Sequence, residues 1–365
     1  MFKRGAALIF AGVLVWALLP RAAYPHNPTT TTVLFNREIT ALLQRKCAQC
    51  HAEGKLAMPL VTYAQTRPWA EAIKEEALAR RMPPWPAERG YGSFSNDIGL
   101  TPREFEFLIS WIDGGVPEGT DAPPALVDHG AHGTLGTPDL LLSPAAATTI
   151  DAHTPATSTR VMFDTGLTHD AWVRAFDFKP DPQVARAATL SIAGTGQYLG
   201  GWTPWQSSTE LPAGAAFRIP AHARIAVDVL YAGAKERVAD KPQLALYLAS
   251  SARESSVETT ILQAAADPHV AGRFVAEFKA TNPRALVSIR PDLGTARSLE
   301  IRALHPDGSR DVLLWVKDAT HGWPTPYVFA KPVTLTTGSL LQAIAYADRA
   351  PASPITIELN HYARN

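Results

Sequence analysis

The sequence predicts a multidomain chain: a small all-α module followed by two tandem antiparallel β-sandwich subdomains. Three observations predict it. Residues 34–119 carry helix caps and apolar residues at helical spacing. From residue 138 onward, short β-prone runs alternate with Gly, Pro and Asp turns. Between them, residues 120–137 are rich in Pro, Gly, Ala and Asp and read as a linker. The β region itself divides at SSARESS, giving sandwiches over 138–250 and 256–365.

Composition agrees with a globular chain. Of 365 residues, 46% are hydrophobic and 19% charged, enough to build real cores. The 34 Lys and Arg balance the 34 Asp and Glu, so no basic surface points to nucleic acid. At the N-terminus, Lys3 and Arg4 precede an apolar run over residues 6–19 that ends at Pro20. That is the pattern of a signal peptide, too short for a comfortable membrane span. Arg21 spoils the small-x-small cleavage pattern, so residues 1–26 read as a signal peptide or as an uncleaved N-terminal anchor that would hold the chain at a membrane. Either reading makes the chain periplasmic or otherwise exported.

Both of the chain's cysteines lie in KCAQCH, residues 46–51. C-x-x-C-H is the attachment sequence for c-type haem. Two thiols at this spacing reach the two vinyl groups on one edge of a porphyrin, and the next residue offers its imidazole to the iron. Cys47 and Cys50 are therefore the expected thioethers and His51 the proximal ligand of one covalent haem. A thioredoxin-like pair wants a βαβ setting, which these flanks lack. A zinc site wants four ligands, and no further cysteine exists to supply them.

The flanks are read as helical. Residues 36–46 place Ile39, Leu42 and Leu43 on one face, with Asn36 positioned to cap. Residues 67–81 make another helix. In LTPREFEFLISWIDGG, Thr101 and Glu104 form a capping box, Pro102 takes the first helical position, and Gly114 and Gly115 end the helix. The chain's four methionines are Met1, Met58, Met82 and Met162. Met82 opens MPPW, where two prolines stiffen the loop that would present its sulfur. Met58 follows His51 by seven residues, which span at most about 25 Å when extended, leaving little slack to round the porphyrin edge. Met82 is the favoured distal ligand, with Met58 or an open position as alternatives. Trp69, Trp85 and Trp111 are read as pocket or core aromatics.

CAQCH together with the R-P-W…M-P-P-W…F-S-N-D…W-I-D-G-G-V-P-E-G series resembles the monohaem cytochrome c domains of exported bacterial proteins. The resemblance covers about residues 34–119. It implies a small all-α class I-like cytochrome c domain with His51 and Met82 as the axial pair. The β region is similar, through WVRAFDFKP, YLGGWTPW, ALHPDGSRDVLLWV and GWPTPYVFAKPVTL, to copper type II ascorbate-dependent monooxygenases of the peptidylglycine-hydroxylating kind. That resemblance implies two sandwiches with a copper on each. The family's ligand positions align here with Arg186, Ala187, Val229, Pro291 and Leu293, none of which binds copper, and no H-H or H-x-H pair occurs in the chain. Copper is not expected, unless some of His153, His169, His222, His269, His305, His321 and His361 converge. His129 and His132 are read as solvated linker histidines.

The expected function is one-electron transfer by a periplasmic c-type cytochrome, not catalysis. A degenerate monooxygenase-like β region would dock a redox partner protein or a larger electron-transfer complex. The alternative is a haem-fed, copper-dependent monooxygenase that hydroxylates an organic substrate. A haem-based sensor or an assembly subunit is a third possibility, separable by carbon monoxide binding.

Overall fold

A computed structural model describes residues 30–125, 135–249, 255–319, 325–349, 351 and 353–364. The N-terminal segment 1–26, His129, His132 and His321 lie outside the described residues.

Four short α-helices occupy the N-terminal part: α1 (Thr40–Lys46), α2 (Tyr63–Thr66), α3 (Ala70–Leu78) and α4 (Pro102–Asp113). Helix α4 follows its sequence signals. Thr101 Oγ1 accepts from the Glu104 amide at 3.1 Å, and Glu104 returns the bond to the Thr101 amide at 2.8 Å. Leu108, Trp111 and Ile112 form its buried face. It stops where Gly115 adopts a left-handed backbone.

The other helices depart from expectation. Residues 35–39 form a π-type turn ahead of α1, and Asn36 does not cap it. Its buried side chain instead donates to the Gly119 and Asp121 carbonyls at 3.2 and 2.8 Å, fastening the start of the expected linker to the turn that leads into α1. The helix read over 67–81 begins earlier and ends earlier. Thr62 and Gln65 make a capping box for α2, a 3₁₀ turn at Arg67–Trp69 accommodates Pro68, and α3 ends at Leu78.

The expected fold class needs correction. The chain is mostly β, with 41% strand against 13% helix, and a small all-α class I-like cytochrome c domain is not evident. The physical reason lies in residues 85–98, which sit between α3 and α4 in sequence but pack elsewhere. Trp85, Ala87 and Ile98 are buried in the apolar core of the C-terminal sheets. Ala87 and Phe94 form antiparallel bridges with Val316 and Phe329. The Glu88 amide donates to the Trp315 carbonyl at 2.7 Å. What remains around the helices is a small cluster built on Phe35, Ile39, Leu42, Leu43, Leu108 and Trp111.

Among the described residues the β region comprises a two-stranded sheet of Thr148–Ile150 with Val238–Asp240 and two pairs of larger sheets. In the first, Leu140–Leu142, Gln243–Leu248, Ala171–Lys179, Ala215–Ile219 and Ser255–Ser256 lie side by side. They face Thr157–Asp164, Arg224–Tyr231, Ala185–Ile192 and Tyr198–Trp202 across a core that includes Phe163, Phe178, Phe217 and Val229. In the second, Glu258–Gln263, Thr356–Ala363, Arg284–Asp292 and Tyr327–Leu335 oppose Arg273–Lys279, Leu340–Tyr346, Ser298–Leu304 and Arg310–Val316. Strand Ser298–Leu304 shows the period-2 logic plainly: Leu299, Ile301 and Ala303 point inward and are buried, while their neighbours are half-exposed. HPDGSR turns this strand into Arg310–Val316, with the Gly308 amide bonded to the His305 carbonyl at 3.0 Å.

Candidate functional site

Helix α1 delivers the CAQCH sequence directly. The Cys47 and Ala48 amides both bond the Leu43 carbonyl, at 2.8 and 2.9 Å, and the Cys50 and His51 amides both return to the Cys47 carbonyl, at 3.0 and 2.8 Å. This tight turn puts Cys47, Cys50 and His51 on the wall of one cavity. The cysteines are unbridged. Burial pushes the Cys47 thiol up to about 12, helped by its neighbour Cys50. Burial also pushes Cys50 up to about 11, against the opposing charges of Arg186 and Lys55. A redox-active pair works through a low-pKa thiolate, and these thiols are poised the other way.

His51 is oriented from behind. Its Nδ1 lies 3.0 Å from the Met58 carbonyl oxygen, so Nδ1–H donates there and Nε2 is left as the ligating nitrogen. The loop is closed by the Leu60 amide on the His51 carbonyl at 2.9 Å. Burial lowers the His51 pKa, partly offset by the Met58 hydrogen bond, which favours the neutral imidazole a metal needs. This contact also separates the two candidate sulfurs. The Met58 backbone sits on the Nδ1 side of the ring, behind the direction in which His51 would ligate.

Met82 approaches from another element. After α3, Arg80 takes a left-handed backbone, and the Arg81 and Met82 amides fold back onto the Glu76 carbonyl at 2.9 and 3.3 Å. Arg81 holds the Glu76 carboxylate with two bonds of 2.8 and 2.7 Å. Met82 then enters the cavity wall beside Pro83 and Pro84.

The cavity has a volume of about 420 Å³, within the usual range for small-molecule and cofactor sites. Its lining is mostly apolar: Leu42, Leu60, Ile73, Ala77, Leu100 and Leu108 among others. All four residues predicted as haem partners reach it: Cys47, Cys50, His51 and Met82. Two thiols, an imidazole and a thioether on apolar walls are the donor set that a covalently attached haem requires. Trp69 lines the cavity too, whereas Trp85 belongs to the second sandwich and Trp111 to the helical cluster.

Two lining residues were missed as site residues. Arg186 and Trp205 come from the first sandwich. Arg186 occupies a β-bulge, where Ala185 and Ala187 pair with consecutive residues Tyr231 and Leu230 and leave one residue over. Trp205 sits in the turn closed by mutual backbone bonds between Thr203 and Gln206, at 3.2 and 2.9 Å. The WTPWQ stretch carries a turn signal, but nothing in it indicates which surface the turn meets.

The positions aligned with copper ligands are scattered. Arg186 faces the CAQCH cavity, Ala187 and Val229 are buried, and Pro291 and Leu293 line a separate cleft of about 850 Å³ between the sandwiches. Both arginines that line that cleft are paired, Arg160 with Asp228 and Arg290 with Glu358. Of the histidines in the β region, His305 pairs with Asp311 and His361 with Thr260. Among the described residues no three His, Cys, Asp or Glu side chains gather into a group that could hold a metal ion.

No known protein-family model matches the chain, and no curated protein matches it. Among solved structures, it is similar to the major capsid protein of bacteriophage PM2 at 8% identity, over 61% of this chain and 97% of that one, with a TM-score of 0.31. A Paenibacillus xanthan lyase is similar at 12% identity and a TM-score of 0.20, over 67% of this chain and 28% of the lyase. A triple jelly-roll protein from an archaeal virus is similar at 10% identity and a TM-score of 0.20, over 60% of each chain. Likenesses this distant lend no support to any function here.

Proposed function

We propose that this chain is an exported electron carrier, holding one haem through Cys47 and Cys50 with His51 and Met82 as axial ligands. One observation carries the reading. Both thiols, an imidazole oriented by a backbone carbonyl, and a thioether delivered by a separate element wall the same apolar cavity. When bound, the haem would supply a one-electron couple, Fe(II)/Fe(III), at a potential raised by methionine ligation.

The protein's own residues do the rest. The Met58 carbonyl fixes the His51 tautomer. The prolines after Met82 restrict the loop that presents its sulfur. With haem bound, the apolar walls would limit water around the iron, which would support electron exchange with little rearrangement. The β sandwiches would dock a redox partner protein. Among the described residues no helix is long and apolar enough to cross a membrane.

The test is to express the full chain in a host that attaches haem to exported proteins. Wild type is expected to carry the mass of one covalent haem and to cycle reversibly between oxidised and reduced spectra. Cys47→Ser/Cys50→Ser is expected to carry none. Wild type emerging as bare polypeptide from a host that matures a control cytochrome would defeat the proposal.

A further inference from the structure

We propose that Arg186 holds a carboxylate of the haem, so that the first β-sandwich supplies the anion-binding corner of the cavity. This rests on the haem reading above and goes beyond it, because it assigns part of the cofactor site to the β region.

The cavity's charged lining groups are Lys46, Glu76 and Arg186. Lys46 donates to the Gly99 carbonyl at 3.0 Å and lies near Glu104, and Glu76 is gripped by Arg81. Arg186 is different. It is half-buried, and among the described residues no hydrogen bond or ion pair satisfies it; burial and the nearby Cys50 are all that act on it. Three other arginines of the same sandwich are matched to carboxylates: Arg160 to Asp228, Arg174 to Glu210 and Arg218 to Asp170. A guanidinium facing an apolar cavity without a protein acceptor leaves part of its desolvation cost uncompensated, and an anion opposite would offset it.

The β-bulge at Arg186 turns the side chain out of the strand's regular alternation, while Ala185 and Ala187 on either side are fully buried. The backbone is thus built to aim this residue at the cavity. The occupant proposed for that cavity carries two carboxylates on its macrocycle, and the planar guanidinium fork matches a carboxylate with two parallel hydrogen bonds.

The experiment uses the full chain with haem attached, as wild type, Arg186→Leu and Arg186→Lys. Haem content is read by mass, the propionate bending band by resonance Raman, and the midpoint potential by titration. Arg186→Leu is expected to keep its haem, to shift the propionate band, and to have a lower midpoint, since a positive charge near the iron disfavours Fe(III). Arg186→Lys is expected to restore much of both. If the leucine variant does not fold, Arg186→Gln takes its place with the same expectation. An unchanged band and midpoint in a haem-loaded leucine or glutamine variant would overturn the assignment while leaving the haem reading intact. A wild-type spectrum that responds to added acetate would give Arg186 to a free carboxylate instead and also overturn it. Wild type without haem would overturn both readings together.

Discussion

The Asn96 side-chain amide donates to the Gln206 side-chain oxygen at 2.7 Å, across 110 residues of sequence. The same nitrogen donates to the Pro326 carbonyl at 2.7 Å, and the Asn96 oxygen accepts from the Val328 amide at 3.1 Å. One buried amide therefore joins the segment after Met82 to a turn of the first sandwich and to a strand of the second. Gln206 adjoins Trp205, which lines the CAQCH cavity. The joint fixes where the β region meets the site.

Asn96→Ala should therefore cost more than an ordinary surface change. It strands the Pro326 carbonyl and the Val328 amide in a buried place, at roughly 1–3 kcal/mol for each unsatisfied group. A loss of roughly 2–4 kcal/mol is expected overall, read as a lower urea midpoint with the slope unchanged. Gln206→Ala should cost less, because Asn96 keeps two of its three partners. Equal effects from the two variants would mean that the joint does not work through Asn96.

Much of this was legible in sequence, and the failures have identifiable causes. Helix α4 was readable because its signals are local: Thr101, Pro102, Glu104 and the terminal glycines act within one helix. The four residues proposed to hold a haem could be named from sequence because CAQCH is a contiguous motif and the chain has only four methionines. The expected all-α module failed because residues 85–98 are recruited by tertiary packing, Trp85 against Tyr327 and Phe94 against Phe329, which no local pattern encodes. Strand Tyr198–Trp202 carries adjacent glycines, Gly200 and Gly201. Gly200 is there because a Cβ would lie 2.5 Å from the Phe176 ring, a cross-sheet constraint rather than a turn signal. Arg186 was noticed only as a misfit at an aligned ligand position; its cavity became visible once the sandwich and the helices were placed together.

The two methionines at the cavity make a paired prediction. They are equally exposed, at 39% for Met82 and 40% for Met58, so exposure does not rank them. Direction does, since the Met58 carbonyl engages His51 Nδ1 and puts that backbone on the wrong side of the ring. In haem-loaded protein, Met82→Ala should abolish the absorption signature of sulfur–iron ligation, lower the midpoint potential and admit carbon monoxide to the reduced form. Met58→Ala should leave all three near wild type. The reverse pattern would assign the sixth position to Met58.

The thiols should be sluggish before haem attachment. With pKa values near 12 and 11, Cys47 and Cys50 in the folded, haem-free chain are protonated at pH 8. An unperturbed cysteine titrates near 8.5, so the thiolate fraction of Cys50 should be lower by roughly two orders of magnitude. Iodoacetamide should label the folded haem-free chain about 100-fold more slowly than the urea-unfolded chain at that pH, with the rate rising steeply above pH 9. Labelling as fast as in the unfolded chain would point instead to an activated redox pair.

A histidine far from the cavity sets a pH limit on stability. His361 lies on strand Thr356–Ala363 between Glu258–Gln263 and Arg284–Asp292. Its ring packs against Phe278 at 5.2 Å, and its Nε2 shares a 2.8 Å hydrogen bond with Thr260. Nδ1 is buried, and among the described residues no polar partner meets it. Burial, with the nearby Arg284 adding to it and Glu258 opposing, lowers its pKa from 6.5 to about 4. Below pH 6.5 the unfolded chain takes up a proton that the folded chain refuses, so unfolding gains as pH falls. Stability should decline between about pH 6.5 and 4, by at most about 1.4 kcal/mol per pH unit from this residue. His361→Gln keeps a hydrogen-bonding side chain and removes the titration. The difference in urea midpoint between wild type and this variant should therefore shift in the variant's favour across that window and level off outside it. A difference that does not change with pH would show that His361 takes its proton equally in the folded and unfolded chains.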